Sequence, residues 1–465
     1  MTSPNVLIIY TDQQRADALG ASGNPHIHTP HLDRLAERGT LFSRCFAQNP
    51  VCMPSRASFL TGRYPSALGI THMGVPMPPE IPNIATYFST AGYHTANIGK
   101  LHFLPHANRD HTLPHPKYDF DHLEISDEPG PYEDAYRAWV ASKDPSQLPH
   151  LSLGLPPARS DWNRIMNVED PIPHPYASPD AARNDFKGAL AFSGDDAYSH
   201  SAFVGQRTID YLNSRADNSQ PFMAIAGFYS PHAPWIVPQC FLDQYDPQNL
   251  PLVSDRGDLP EEQVRSATHG YYAMVTEVDH WCGKIFETLA SNGQADNTII
   301  VFTSDHGEWL GDRGRFAKGY PADAPVSNVP LLIHSPSIAP SERKVETIVE
   351  ALDVLPTLLE LCGLTLSSKL QGQSLASLMK GENESREESA LTEGTGWRCL
   401  RTPTHRYLNQ TEGPERLWKV DGDAEKEIDL AHESESSSQA LSELRRKMIA
   451  KMLRAASPRD RIWPY

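Results

Sequence analysis

Residues 5–11, Asn-Val-Leu-Ile-Ile-Tyr-Thr, form an almost unbroken apolar run, and Asp12 follows it directly. A strand that is apolar on both faces must be covered on both faces. That requirement places it inside a sheet flanked by helices on either side. The chain repeats the pattern. His94–Gly99, Pro221–Phe228, Asn297–Ser304 and Val329–His334 also read as buried strands. Helical periodicity runs over 30–38, where Gly39 stops it, over 82–91, where Gly92 stops it, and over 202–214 and 261–292. Alternating strands and helices predict a layered α/β domain. Polar residues stand just past four strands: Asp12-Gln13, Lys100 with His102, His232, and Asp305-His306. Open α/β sheets place their chemistry at that edge.

The remaining segments differ in character. Residues 103–200 are rich in Pro, His, Asp and aromatics and carry little periodicity, which predicts a loop-rich excursion over the functional edge. After Lys380 the composition turns acidic and serine-rich, marking a boundary between a catalytic domain, 1–380, and a C-terminal subdomain, 381–465. In the latter, Trp397–Thr402, His405–Leu408 and Arg416–Val420 read as antiparallel strands. A last helix would carry Leu441, Leu444, Met448 and Met452 on one face.

Charge and cysteine usage narrow the function class. The net charge of −17 argues against a nucleic-acid surface. No stretch is long enough to span a bilayer, and no basic segment precedes the short apolar run at the N-terminus, so neither a membrane nor a secretory signal is expected. The six cysteines lack metal-type spacing, which together with the absent signal predicts reduced thiols and a cytoplasmic protein. The apolar tail 462–465 is compatible with docking on its own subunit or with a homo-oligomer.

One segment speaks directly to chemistry. Residues 52–62 read Cys-Met-Pro-Ser-Arg-Ala-Ser-Phe-Leu-Thr-Gly. Pro54 restricts the backbone ahead of a short helix that Ser55 could cap, which would set residue 52 beside a helix N-terminus and its anion-favouring N–H groups. This run resembles the signature of the type I sulfatases, in the alkaline phosphatase superfamily. The resemblance implies an alkaline-phosphatase-like three-layer sandwich with a large mixed sheet and a small C-terminal α+β subdomain. It also implies that a formylglycine-generating enzyme converts Cys52 to formylglycine (3-oxoalanine). The hydrated aldehyde is then the nucleophile towards a small-molecule sulfate ester.

The same resemblance carries the other strand-end groups. It implies a divalent metal, calcium first and manganese as the alternative, held by Asp12, Gln13, Asp305 and His306 together with residue 52. It implies that Arg56, Lys100 and Lys318 neutralise the charge of the transition state, that His232 protonates the leaving oxygen, and that His102 deprotonates the remaining hydroxyl. Two positions depart from the common pattern. Gln13 replaces a second carboxylate and His306 stands where many sulfatases carry Asn, a pair similar to that of the phosphonate monoester hydrolases and choline sulfatases. A phosphodiesterase or phosphonate monoester hydrolase is therefore the alternative activity, and a non-catalytic anion-binding relative is a third reading. His72, His106, Trp139 and Trp397 are candidates for lining the organic part of the substrate.

Overall fold

The computed structural model describes residues 3–105, 113–130, 133–152, 154, 188–338, 342–382, 386–422, 424–430 and 435–456. An eight-stranded mixed sheet forms its centre. In chain order the strands are β1 (Asn5–Thr11), β2 (Thr40–Phe42), β3 (His94–Gly99), β4 (His122–Ile125), β5 (Phe222–Gly227), β6 (Thr298–Ser304), β7 (Leu331–His334) and β8 (Arg343–Val345). Their spatial order is β8-β2-β7-β6-β1-β5-β3-β4. The five strands β6, β1, β5, β3 and β4 run parallel, and β7 is antiparallel to both its neighbours.

Side-chain alternation along the strands decides the layers. Val6, Ile8 and Tyr10 pack on one face with Met223, Ile225, Ile299 and Val301, against Phe59, Phe88, Val354 and Leu358 of the helical segments there. Leu7 and Ile9 pack on the other face with Ala224, Ala226, Ile300 and Phe302. Helix residues Leu32, Phe203, Val278 and Ile285 cover that side. The result is the sheet covered on both faces that the apolar runs predict, and the three-layer sandwich that the sulfatase resemblance implies. The helix Pro30–Glu37 receives an external cap: Asp279 of the long helix Glu261–Ser291 accepts the N–H of Leu32 at 2.7 Å and of His31 at 3.2 Å.

Some elements differ from the sequence reading. The run Val329–His334 is split at Pro330. Val329 pairs with Cys45 in a separate three-stranded sheet, while Leu331–His334 joins the main sheet. Proline has no N–H to give a ladder, so the break falls there. The 103–200 segment contains the edge strand β4 and a helix, Ala135–Lys143. The C-terminal subdomain is a five-stranded antiparallel meander, and it includes Ala390–Gly394 and Ala424–Ile428 as outer strands beyond the three expected. Leu441, Leu444 and Met448 of its helix, Glu435–Ala455, pack on Leu400, Tyr407 and Leu417. Met452 is 40% exposed and does not belong to that buried face. The 462–465 tail lies outside the described residues.

Candidate active site

Strand register brings the sequence-predicted groups to one edge. Tyr10 stands opposite both Gly227 and Thr303, and Gly99 stands opposite Gly227. The residues that follow these strands therefore emerge at the same height. Two glycines make the crossing possible: a Cβ on Gly99 would lie 2.1 Å from the Gly227 carbonyl oxygen, and one on Gly227 would lie 2.3 Å from that of Lys100. Gly99 also adopts φ 89°, a region that L side chains avoid.

The helix Cys52–Thr61 starts at this edge, and all ten of its residues are buried. Cys52 is its first residue, next to the free N–H groups of the opening turn. Ser55 does not cap the helix, contrary to the sequence reading. Its N–H bonds to the Val51 carbonyl within the first turn, and its hydroxyl donates to the Asp305 carbonyl at 2.5 Å. Ser55 thus fastens the helix start to the β6 edge.

Asp12, Cys52, Asp305 and His306 present one donor atom each within 4.8 Å of one another, all buried. Cys52 Sγ lies 3.2 Å from His306 Nε2 and 3.6 Å from Asp12 Oδ1. Three observations fit this group to a divalent cation. His306 Nδ1 is paired with the Gly307 carbonyl at 2.8 Å, which assigns its proton there and leaves the Nε2 lone pair facing the carboxylates. Gln13 Nε2 donates to Glu308, while Gln13 Oε1 is buried with no hydrogen-bond partner among the described residues. Asp12 and Asp305 add buried carboxylate oxygens to the group, a donor type that suits a divalent cation.

Cations surround this set. Lys100 Nζ is 2.6 Å from Asp12 Oδ2 and lies 4.8 Å over the Tyr229 ring. Burial works against ionisation of Asp12, but Lys100, helped by Lys318 and Arg56, holds its carboxyl well below the usual range. Arg56 is fully buried and directs its guanidinium to protein acceptors: Asp305 Oδ2 at 2.8 Å and the carbonyls of Lys100 and Thr11 at 3.1 and 3.2 Å. It ties three strand-end loops together. Lys318 Nζ bridges Cys52 Sγ at 2.6 Å and His232 Nε2 at 2.8 Å. His232 Nδ1 faces the Ala233 carbonyl at 2.5 Å, so Nε2 accepts the lysine's proton. Burial, and then the charge of Lys318, push His232 well below its ordinary value. Burial, and then the Asp12 charge, push the Cys52 thiol up to about 12, so an unmodified thiol here stays protonated at neutral pH.

The other sequence-predicted residues fall into different settings. His102 is buried on left-handed backbone, φ 58°, with its N–H donating to Asp127 Oδ1 at 2.7 Å. His72 is at the surface, with Nδ1 3.4 Å from Thr395 Oγ1 of the C-terminal sheet. Trp397 packs edge-on against Tyr320, two residues past Lys318, at 5.8 Å. Trp139 packs on Tyr198 and Phe203 in the second core, so it is a packing residue and not a lining one. His106 lies outside the described residues.

Three supporting acids were not singled out from the sequence. Glu308 accepts from Gln13 Nε2, Asp127 accepts the N–H groups of Leu101 and His102, and Glu128 stands 3.7 Å from Lys100 Nζ. Asp127 and Glu128 follow edge strand β4 in a segment without periodicity, so no pattern marks them.

The Sulfatase family profile matches residues 4–364. The chain is 30% identical over 429 residues to an ulvan-active sulfatase of Formosa agariphila, covering 89% of this chain and 74% of that one. It is 29% identical over 409 residues to an arylsulfatase of Clostridium perfringens, covering 82% and 79%. In three dimensions it resembles the phosphonate monoester hydrolase of Agrobacterium radiobacter, with a TM-score of 0.77 at 23% identity over 97% of this chain and 96% of that one. With a family match of this extent over an edge assembled in this way, the chain belongs to the sulfatase family of sulfuric ester hydrolases.

Proposed function

We propose that this chain hydrolyses sulfate monoesters through a formylglycine hydrate formed from Cys52. The observation that carries the reading is the placement of Cys52. It is the first residue of a buried helix, 3.2 Å from His306, 3.6 Å from Asp12 and 2.6 Å from Lys318. A protonated thiol in that position is a poor nucleophile, whereas a geminal diol both attacks and later releases its adduct. Maturation by a formylglycine-generating enzyme is part of the proposal. The six unpaired cysteines suit a reducing cytoplasm, where such a thiol would await conversion.

Asp12, Gln13, Asp305, His306 and residue 52 would hold the metal, which when bound would supply Lewis-acid stabilisation of negative charge and favour loss of the hydrate's proton. The mixed donor set keeps calcium as the first candidate on family grounds, and His306 keeps manganese beside it. The chain's own groups do the rest. A hydrate oxygen of residue 52 gives its proton to Asp305 and attacks sulfur, and the bond from sulfur to the alcohol oxygen breaks. Lys318 and His232 share the proton that the departing oxygen takes up. Lys100 holds Asp12 ionised, and Lys100 and Lys318 offset the ester's charge. His102 then takes a proton from the second hydroxyl, the carbonyl re-forms, and sulfate leaves.

A second reading follows from Gln13 and His306. An amide and an imidazole leave Asp12 and Asp305 as the only carboxylates in the donor set. A phosphonate monoester or phosphate diester also carries a single charge on a tetrahedral centre. Sulfate, phosphonate and diester substrates built on one phenol separate the readings. The expected order of kcat/KM places the sulfate first, with the other two measurable. A phosphonate or diester value well above the sulfate value promotes the alternative. Peptide mass spectrometry should find the aldehyde at residue 52, and full activity in Cys52→Ala would end both readings.

A further inference from the structure

Lys318 makes two of the closest contacts in the site, yet its loop has an unfavourable backbone. Leu310, Arg313, Ala317 and Ala322 adopt φ of 49, 53, 70 and 61°. Residues other than glycine occupy that region at a cost of about 1–3 kcal/mol each. A loop of this kind keeps one shape only where its surroundings fix it. At its start Glu308 does so, accepting the N–H groups of Leu310, at 3.0 Å, and of Ala317, which precedes Lys318.

The far end of the loop is fixed from the C-terminal sheet. Asp323 is fully buried and ion-paired to Arg406, at 2.8 Å, and to Arg313. Arg406 is also fully buried. It lies 3.6 Å over the Trp418 ring, meets Glu425 Oε2 at 2.7 Å and reaches the Pro321 carbonyl at 3.5 Å. Glu425 pairs in turn with Arg401. Tyr320 donates its hydroxyl to Gln410 at 2.7 Å, and Ala322 packs among Cys399, Leu408 and Trp418. A planar guanidinium lying over a ring can hold two carboxylates and a carbonyl from fixed in-plane directions, a geometry that the freely rotating ammonium of a lysine does not fix. Buried ion pairs add little net stability, so this density of charge on one short loop points to a role in fixing geometry.

We propose that the C-terminal sheet is a working part of the active site, with Arg406 as a positioning residue. Through Asp323 and Pro321, Arg406 sets the Lys318 ammonium against residue 52 and His232. The inference rests on the reading of Lys318 given above.

The test is a double-mutant cycle on metal-loaded protein whose residue-52 aldehyde content is matched by mass spectrometry. kcat/KM for nitrophenyl sulfate is measured in wild type, Arg406→Lys, Lys318→Ala and the double variant. Arg406→Lys should lower it by about 10- to 100-fold, the scale of a misplaced catalytic group. In the Lys318→Ala background the same change should cost nothing further. Tyr320→Phe, at a partly exposed position that cannot unfold the core, should give a loss of the same kind, roughly two- to tenfold. Multiplicative losses in the double variant overturn the proposal and leave the reading of Lys318 intact. An unchanged Lys318→Ala overturns both. A Tyr320→Phe enzyme and an Arg406→Lys enzyme with wild-type kcat/KM overturn the proposal alone.

Discussion

Glu308→Gln should weaken metal binding although Glu308 is not a ligand. One oxygen of Glu308 accepts from Gln13 Nε2, and the other accepts the N–H groups of Leu310 and Ala317. A carboxylate can accept on both sides, whereas a glutamine amide offers one acceptor and one donor. If the new oxygen keeps the two backbone N–H groups, the new NH₂ faces the NH₂ of Gln13. Gln13 must then turn its amide over, directing Oε1 away from the donor set and Nε2 into it. An amide nitrogen cannot ligate, so the proposed cation loses one of its five protein ligands.

Loss of an orienting contact of this type costs about 10- to 100-fold in metal affinity, or ~1.4–2.7 kcal/mol. Chelator competition with manganese and calcium on the metal-free protein measures it. Gln13→Ala should show a loss of the same size, and combining it with Glu308→Gln should add nothing. Gln13→Glu in the Glu308→Gln background should restore affinity, because a carboxylate can accept from the new NH₂ and still present an oxygen. Wild-type affinity in Glu308→Gln would refute the reasoning, as would failure of the Gln13→Glu rescue with the fold intact.

Two further outcomes follow. His232→Ala should slow esters of poor leaving groups far more than activated aryl esters, since an activated phenolate needs little protonation; equal losses across the series would make His232 a binding or structural residue. Glu277 is buried, accepts the Ser199 hydroxyl at 2.6 Å, and is pushed by that burial from an ordinary value of 4.5 up to about 7. Its folded pKa lies above its unfolded one, so the folded state favours the protonated acid. The stability this contributes is present below the unfolded pKa and lost as pH rises through about 7. Glu277→Gln should therefore raise stability at pH ~8 by ~3 kcal/mol and by much less at pH ~5; calorimetric melting showing the same change at both values would contradict this.

Much of the site was legible in the chain because local chemistry repeats at strand ends. The apolar run 5–11 demands a sheet covered on both faces, and β1 occupies the middle of one. Asp12, Lys100, His232 and Asp305 each follow a strand, and parallel register makes their meeting a consequence of the fold. The Cys52 segment was recognisable as a motif, while its place as the first residue of a buried helix was not, since Ser55 is an equally good cap by sequence. The supporting contacts were decided only by tertiary structure. Glu308 joins Gln13 to the Lys318 loop, Asp127 and Glu128 arrive from an edge strand without periodicity, and Arg406 reaches Asp323 from 83 positions away in the numbering of the chain. A carboxylate or guanidinium in a loop reads like any solvated charge. Only packing removes the water and turns it into a partner, and packing is a property of segments that the sequence keeps far apart.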